Sequence, residues 1–263
     1  MISLPHLASL PVTPGQLTGL LAILTIVLMN ISRGRAWYHL PSWEHAFGLV
    51  GLSLLVDGQY LGLIDAPREA MMGETGRIMY VHVPSAWLTM VVFLFTCIFA
   101  VAFLLTGKRV FDLLVESTTE VGIILSILLQ ATGMLFAKPT WGVYWDWDPR
   151  LVSTTVMMLS FMGVLSLRAA LDDAERRATW TSVGAILATT SMGVTYMSVR
   201  WWRSIHQMQS SPDTIAKPMV LILRINAFAF LFLSIWLIAR RWRIADAQAR
   251  MDEAPPLPPE VTV

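Results

Sequence analysis

Apolar residues in this chain run in long unbroken stretches, with neither the alternation of a half-buried strand nor the narrow stripe of a surface helix. Six such runs lie at roughly 45–64, 83–106, 119–137, 151–168, 179–199 and 219–239. Each approaches the about 20 residues that an α-helix needs to cross a hydrocarbon core of about 30 Å. The stretch 78–107 contains no Asp, Glu, Lys or Arg. The first run is interrupted by Asp57, and the last carries Arg224 near its start, close enough to an end for the side chain to snorkel. The pattern predicts an all-α, polytopic membrane helical bundle with six core transmembrane helices. A shorter apolar stretch, Leu17 to Ile31, has no basic residue before it and so lacks the n-region of a secretory signal. It is read as an extra N-terminal span, the alternative being an upstream extension of the reading frame. The expected organisation is an N-terminal extension over 1–42, a six-span domain over 43–245, and a disordered Pro-rich cytoplasmic tail over 246–263.

Composition sharpens this picture. Of 263 residues, 55% are hydrophobic and 14% charged, with a mean hydropathy of +0.60. Soluble domains carry about 25% charged residues. A disordered chain is excluded, and six spans leave no room for a sizeable soluble domain. The lone cysteine, Cys97, can form neither an internal disulfide nor a dithiol redox pair. No C-x-x-C-H attaches haem covalently, no G-x-x-x-x-G-K-[ST] binds ATP, and no H-E-x-x-H marks a metalloprotease.

Orientation follows from the basic residues. One side collects Arg33, Arg35, Lys108, Arg109, Arg168, Arg176, Arg177, Arg240, Arg241, Arg243 and Arg250, eleven in all. The other has seven: Arg68, Arg77, Lys138, Arg150, Arg200, Arg203 and Lys217. The richer side is expected to be cytoplasmic. Loops 65–82, 138–150 and 200–218 are separated by two spans each, so they share one face whichever way the chain is inserted. The charge bias makes that face external.

These three loops hold the chemistry. Loop 138–150 packs Trp141, Tyr144, Trp145 and Trp147 into a few residues, followed by Asp148 and Arg150. Loop 200–218 opens with Arg200, Trp201, Trp202 and Arg203, then His206 and Gln207. Loop 65–82 ends with Arg77, Tyr80 and His82 before Pro84. Interfacial belts of Trp and Tyr are the ordinary explanation for such residues, and suffice for Trp87, Trp180, Trp236 and Trp242. Three Trp and a Tyr in one loop exceed a belt. Asp148-Pro149 reads as an N-cap with proline at the first helical position, and Pro84 and Pro218 sit at the starts of the second and sixth spans. His6, His39 and His45 are read as ordinary polar residues. His82 and His206 differ because both reach the face of the aromatic loop. His82 is placed just before a helix N-terminus, where the positive dipole end favours the neutral, metal-ligating ring.

Two neutral imidazoles, flat aromatic walls and several arginines suit few ligands. Zinc would take three or four ligands and has no use for indole faces. Nucleic acid would need a broad electrostatic funnel. Haem fits each part: axial imidazoles for its iron, indoles against its apolar plane, and arginine forks for its propionates, with Arg77, Arg150, Arg200 and Arg203 as candidates.

The same residues resemble a known family. Trp141-Gly142-x-x-Trp145-x-Trp147-Asp148-x-Arg150-Leu151 is similar to the tryptophan-rich "WWD" signature of haem-handling proteins in cytochrome c biogenesis. Arg77-Ile78-x-Tyr80-x-His82-Val83-Pro84 and Trp201-Trp202-x-x-x-His206-Gln207 resemble the two histidine motifs that flank it. With the six-span layout, the resemblance is to the CcmC family, over about 43–245. Tyr144, Asp146 and Pro149 depart from the usual residues of the motif. The resemblance implies a non-enzymatic protein of the bacterial inner membrane that holds haem non-covalently on the periplasmic face. His82 and His206 would be its axial, metal-ligating residues. Trp141, Trp145, Trp147, Asp148, Arg77 and Arg150 would complete the haem-binding set. Implied partners are a periplasmic haem chaperone that receives the haem, an ABC-type ATPase with its membrane subunit, and a small single-span adaptor. The bilayer is its medium, and nucleic acid is not a partner. Two other functions fit less well. A small-solute permease with an external aromatic lid would mark its midplane with more than Asp57 and Gln130. A bis-histidine cytochrome b electron-transfer subunit would carry its ligands within the spans.

Overall fold

A computed structural model describes residues 42–69, 72–206 and 217–252, together with Gln16, Leu20 and Ile215. Apart from Leu20, the stretch Leu17 to Ile31 lies outside the described residues, as does the tail from 253. Six α-helices follow in order: α1 (Ser42–Tyr60), α2 (Met79–Thr106), α3 (Arg109–Trp141), α4 (Pro149–Ala169), α5 (Ala174–Trp201) and α6 (Lys217–Asp252). A π-helical turn, Leu61–Asp65, extends α1, and a 3-10 turn, Glu74–Ile78, leads into α2. The described residues contain six helices long and apolar enough to cross a bilayer, in agreement with the six expected spans.

The central pair is α2 and α3. On one side α4 and α5 pack against them around Phe93, Val115, Ile123, Met157, Phe161, Ala185 and Ala188. Phe93 and Phe161 stack with centroids 3.6 Å apart. Gly122 makes room for this, since a Cβ there would fall 2.3 Å from the Phe93 ring. On the other side α6 packs through Phe230 against Leu88, Val92, Val121 and Leu125. Helix α1 lies along α6 on a glycine face: a Cβ at Gly51 or Gly58 would collide with Leu233 or Asn226. Lipid supplies no hydrophobic drive between helices, so close approach at small residues is a usual source of their association. Asn226 adds a polar tie by accepting from Gln59 at 2.6 Å.

Two helices outrun their hydropathy. Helix α3 begins at Arg109 rather than near 119, because Asp112, Glu116 and Glu120 interrupt the apolar run yet find partners across the bundle. Arg168 pairs with Asp112 at 2.6 Å and with Glu116 at 2.8 Å, and Arg241 pairs with Glu120. Helix α6 continues to Asp252, past the expected boundary at 245. Its last turns are rich in good helix formers and carry an Arg250–Asp246 pair one turn apart.

Candidate functional site

The Trp loop begins where α3 ends. Gly142 closes that helix at φ +83°, a left-handed cap that only glycine adopts freely, and its N–H donates to the Lys138 carbonyl at 3.0 Å. Lys138 Nζ returns a bond to the Gly142 carbonyl at 2.8 Å and lies over the Tyr144 ring. Asp146 accepts from the Trp147 N–H at 2.7 Å, which shapes the middle of the loop.

Asp148 ends the loop and does more than cap. Its Oδ1 accepts from the Arg150 N–H at 2.8 Å, and Pro149 follows at the first helical position, as the sequence leads one to expect. The same oxygen accepts from Ser204 Oγ at 2.9 Å, and Oδ2 accepts from the Ile205 N–H at 2.7 Å. Ser204 Oγ in turn accepts from the His206 N–H at 3.0 Å. One buried carboxylate thus joins the start of α4 to the segment that carries His206. The tie between Asp148 and residues 204–206 is a contact that sequence reasoning did not anticipate.

His82 lies within the first turn of α2, not ahead of it. Burial of Tyr80 against Gly62, Met219 and Leu223 draws the helix back to Met79, leaving Pro84 inside it. The helix N-terminus therefore lies ahead of His82 and not behind it. The ring is held from the side by α3, with Nδ1 3.1 Å from Thr132 Oγ1. His206 and Arg150 are near enough for their charges to act on the His82 ring. The two histidines and Arg150 thus lie at one end of the bundle, and the Asp148 ties join residues 204–206 to the start of α4.

The remaining candidates divide. Trp141 packs edge-on against Phe136, and Trp145 against Trp147, the latter pair at 88° with centroids 6.0 Å apart. Rings at right angles cannot both lie flat on one planar ligand: one can meet its face and the other its edge. Trp147 is 81% exposed, and Trp201 and Trp202 are also open to solvent or partner. Arg150 points inward and donates to the Thr195 carbonyl. Arg77 donates to the Gly62 carbonyl at 3.0 Å and pairs with Glu74. Arg200 rests over the Tyr196 ring, and Arg203 is exposed. Gln207 lies outside the described residues. Among the described residues no three His, Cys, Asp or Glu side chains gather as a metal site.

Comparison with known proteins adds an independent finding. The family model described as CcmC, heme exporter protein C, matches residues 27–254. That match begins upstream of the span the motifs alone suggested. Proteins named heme exporter protein C are similar over most of the chain. The one from Bradyrhizobium diazoefficiens is 32% identical over 203 residues, covering 75% of this chain and 77% of its own. The Haemophilus influenzae protein is 33% identical over 202 residues, covering 75% and 82%. The Escherichia coli K12 protein is 29% identical over 199 residues, covering 74% and 80%.

Proposed function

The chain belongs to the CcmC family of heme exporter protein C, and on that premise we propose that it binds haem at the Trp-loop end and presents it for cytochrome c maturation. The observation that carries this reading is that His206 and Arg150 lie near enough to His82 for their charges to act on its ring, with His206 held to the end of the Trp loop through Asp148. In this reading the protein is a multi-pass component of the bacterial inner membrane, and the Trp-loop end faces the periplasm. Haem is its cargo. His82 and His206 supply the two axial imidazoles. Trp145 and Trp147 offer one face and one edge to the macrocycle, with Trp141 beside them. Arg150 supplies positive charge toward the propionates. Arg77 acts by bracing the turn before α2, since its donors go to Gly62 and Glu74.

The chain makes and breaks no covalent bond in this role. It holds haem in a fixed attitude so that an acceptor's own residue can reach it. The acceptor is a periplasmic haem chaperone. The further partners are an ABC-type ATPase with its membrane subunit and a small single-span adaptor. The residues fit the group: two imidazoles at the same end of the bundle, exposed indoles at Trp147, Trp201 and Trp202, and the Arg150 cation.

The test is titration of the purified full-length protein with haem. A saturable, low-spin, six-coordinate spectrum at one haem per chain supports the reading. A protein that takes up no haem, as expected of a small-solute permease, overturns it. Reporter fusions after residues 144 and 174 check the orientation: the first is expected outside and the second inside, and two fusions on one side contradict it.

A further inference from the structure

The attitude of the His82 ring is set by a residue that carries no haem-binding signature. Thr132 Oγ1 lies 3.1 Å from His82 Nδ1. A hydroxyl has a single proton to give. That of Thr132 goes to its own helix, where Oγ1 is 2.8 Å from the Leu128 carbonyl and 3.1 Å from the Leu129 carbonyl, both able only to accept. The oxygen therefore meets the imidazole as an acceptor, and Nδ1 is the nitrogen that carries hydrogen. The Leu129 carbonyl is a further acceptor beside the same ring.

The next residue fixes which edge of the ring faces α3. A Cβ at Gly133 would fall 3.2 Å from His82 Cε1 and 3.8 Å from Nδ1, with Nε2 more distant. The ring rests its Nδ1–Cε1 edge on the bare backbone of Gly133, and Nε2 is turned away from that contact. In a neutral ring with hydrogen on Nδ1, the lone pair left for a metal is on Nε2.

We propose that Thr132 is a positioning residue for His82: by accepting from Nδ1–H it fixes the tautomer and ring plane, presents Nε2 to the haem iron, and strengthens the imidazole as a donor. The inference rests on the reading of His82 as an axial ligand. It follows the general behaviour of ligating histidines, whose other ring nitrogen donates to an oxygen that orients the ring and raises its basicity. Thr132 is suited to the task because its own proton is already committed, so it cannot turn and donate to the ring.

The experiment compares the haem-loaded full-length protein with Thr132→Val, Thr132→Ser and His82→Ala. Thr132→Val keeps the shape and removes the acceptor. Its haem is expected to transfer to excess apomyoglobin about 10- to 100-fold faster, the usual cost of losing such a partner. Its midpoint potential should rise, since a weaker donor stabilises ferric iron less. Thr132→Ser restores the hydroxyl and should restore both readouts. A merely structural role at a helix contact would leave the potential where it was. Should Thr132→Val fold poorly, Thr132→Ala carries the same comparison. Unchanged potential and transfer rate in the variant lacking the hydroxyl overturn the proposal, and so does a serine variant that behaves like valine. The His82→Ala arm separates the two readings. If it keeps the parent's six-coordinate spectrum, the axial assignment itself is wrong. If it loses that spectrum while Thr132→Val matches the parent, only the role of Thr132 falls.

Discussion

The two ends of the bundle use charge in opposite ways. At the end away from the Trp loop, α3 carries Asp112, Glu116 and Glu120 on successive turns, and each is closed by an arginine from another helix. Arg168 of α4 takes the first two, Arg241 of α6 takes Glu120, and Arg243 pairs with Glu44 of α1. At the Trp-loop end the charged groups bond mostly to backbone. Asp148 accepts from two backbone N–H groups and one hydroxyl, Arg150 donates to the Thr195 carbonyl, and Arg77 donates to the Gly62 carbonyl as well as pairing with Glu74. One end uses charge to lock helices to one another. The other uses it to shape loops, and leaves Tyr144, Trp147, Trp201 and Trp202 exposed. A count of basic residues does not reveal this difference, because what separates the ends is where each charge finds its partner.

The comparison can be broken at either end. The largest effect on stability is expected from Arg168→Met, which strands the buried Asp112 carboxylate and the partly buried Glu116. Breaking one partner of a buried pair costs about 3–5 kcal/mol, read as a fall in unfolding stability in detergent. The haem spectrum should be unchanged, and a changed spectrum would mean that the two ends are not independent. Asp148→Asn is expected to have a smaller effect on stability, since Asn caps a helix about as well as Asp. Asn has one acceptor oxygen where Asp148 uses two, so the bond to the Ile205 N–H and the cap cannot both be kept. Haem loss should therefore quicken by about 10- to 100-fold, the range seen when a ligand's support is removed. Asp148→Ala adds loss of the cap, about 0.5–2 kcal/mol. Equal haem retention in Asp148→Asn and the parent would show that the tie to 204–206 does not position His206. The smallest effect is expected from Trp147→Ala: stability within about 0.5 kcal/mol of the parent for so exposed a side chain, with slower transfer of haem to an acceptor.

Much of this was legible in the chain itself. The six runs and the Asp148-Pro149 cap are local signals with counterparts in the structure, but α3 starts earlier than its run and continues through Trp141, so the aromatic loop begins at Gly142 and not at Lys138. What the chain conceals depends on partners distant in sequence. Asp112 and Glu116 read as a loop until Arg168 is seen beside them. Pro84 suggests a helix start, whereas packing of Tyr80 under Gly62 carries α2 back past His82. Thr132 is one of many threonines bonded to their own helix, and nothing local distinguishes the one that also meets a histidine. Arg77 looks like its neighbours in the motif, yet Glu74 and the Gly62 carbonyl occupy it.

The central claim is that His82 and His206 are the two axial ligands of one haem. The most direct measurement is the absorption spectrum of the haem-loaded protein beside those of His82→Ala and His206→Ala. The account predicts a low-spin six-coordinate spectrum for the parent. Each variant should give five-coordinate or water-ligated iron with weakened retention. A low-spin six-coordinate spectrum that persists in both variants would contradict the account, and the ligands would then have to be sought at His45 and the methionines.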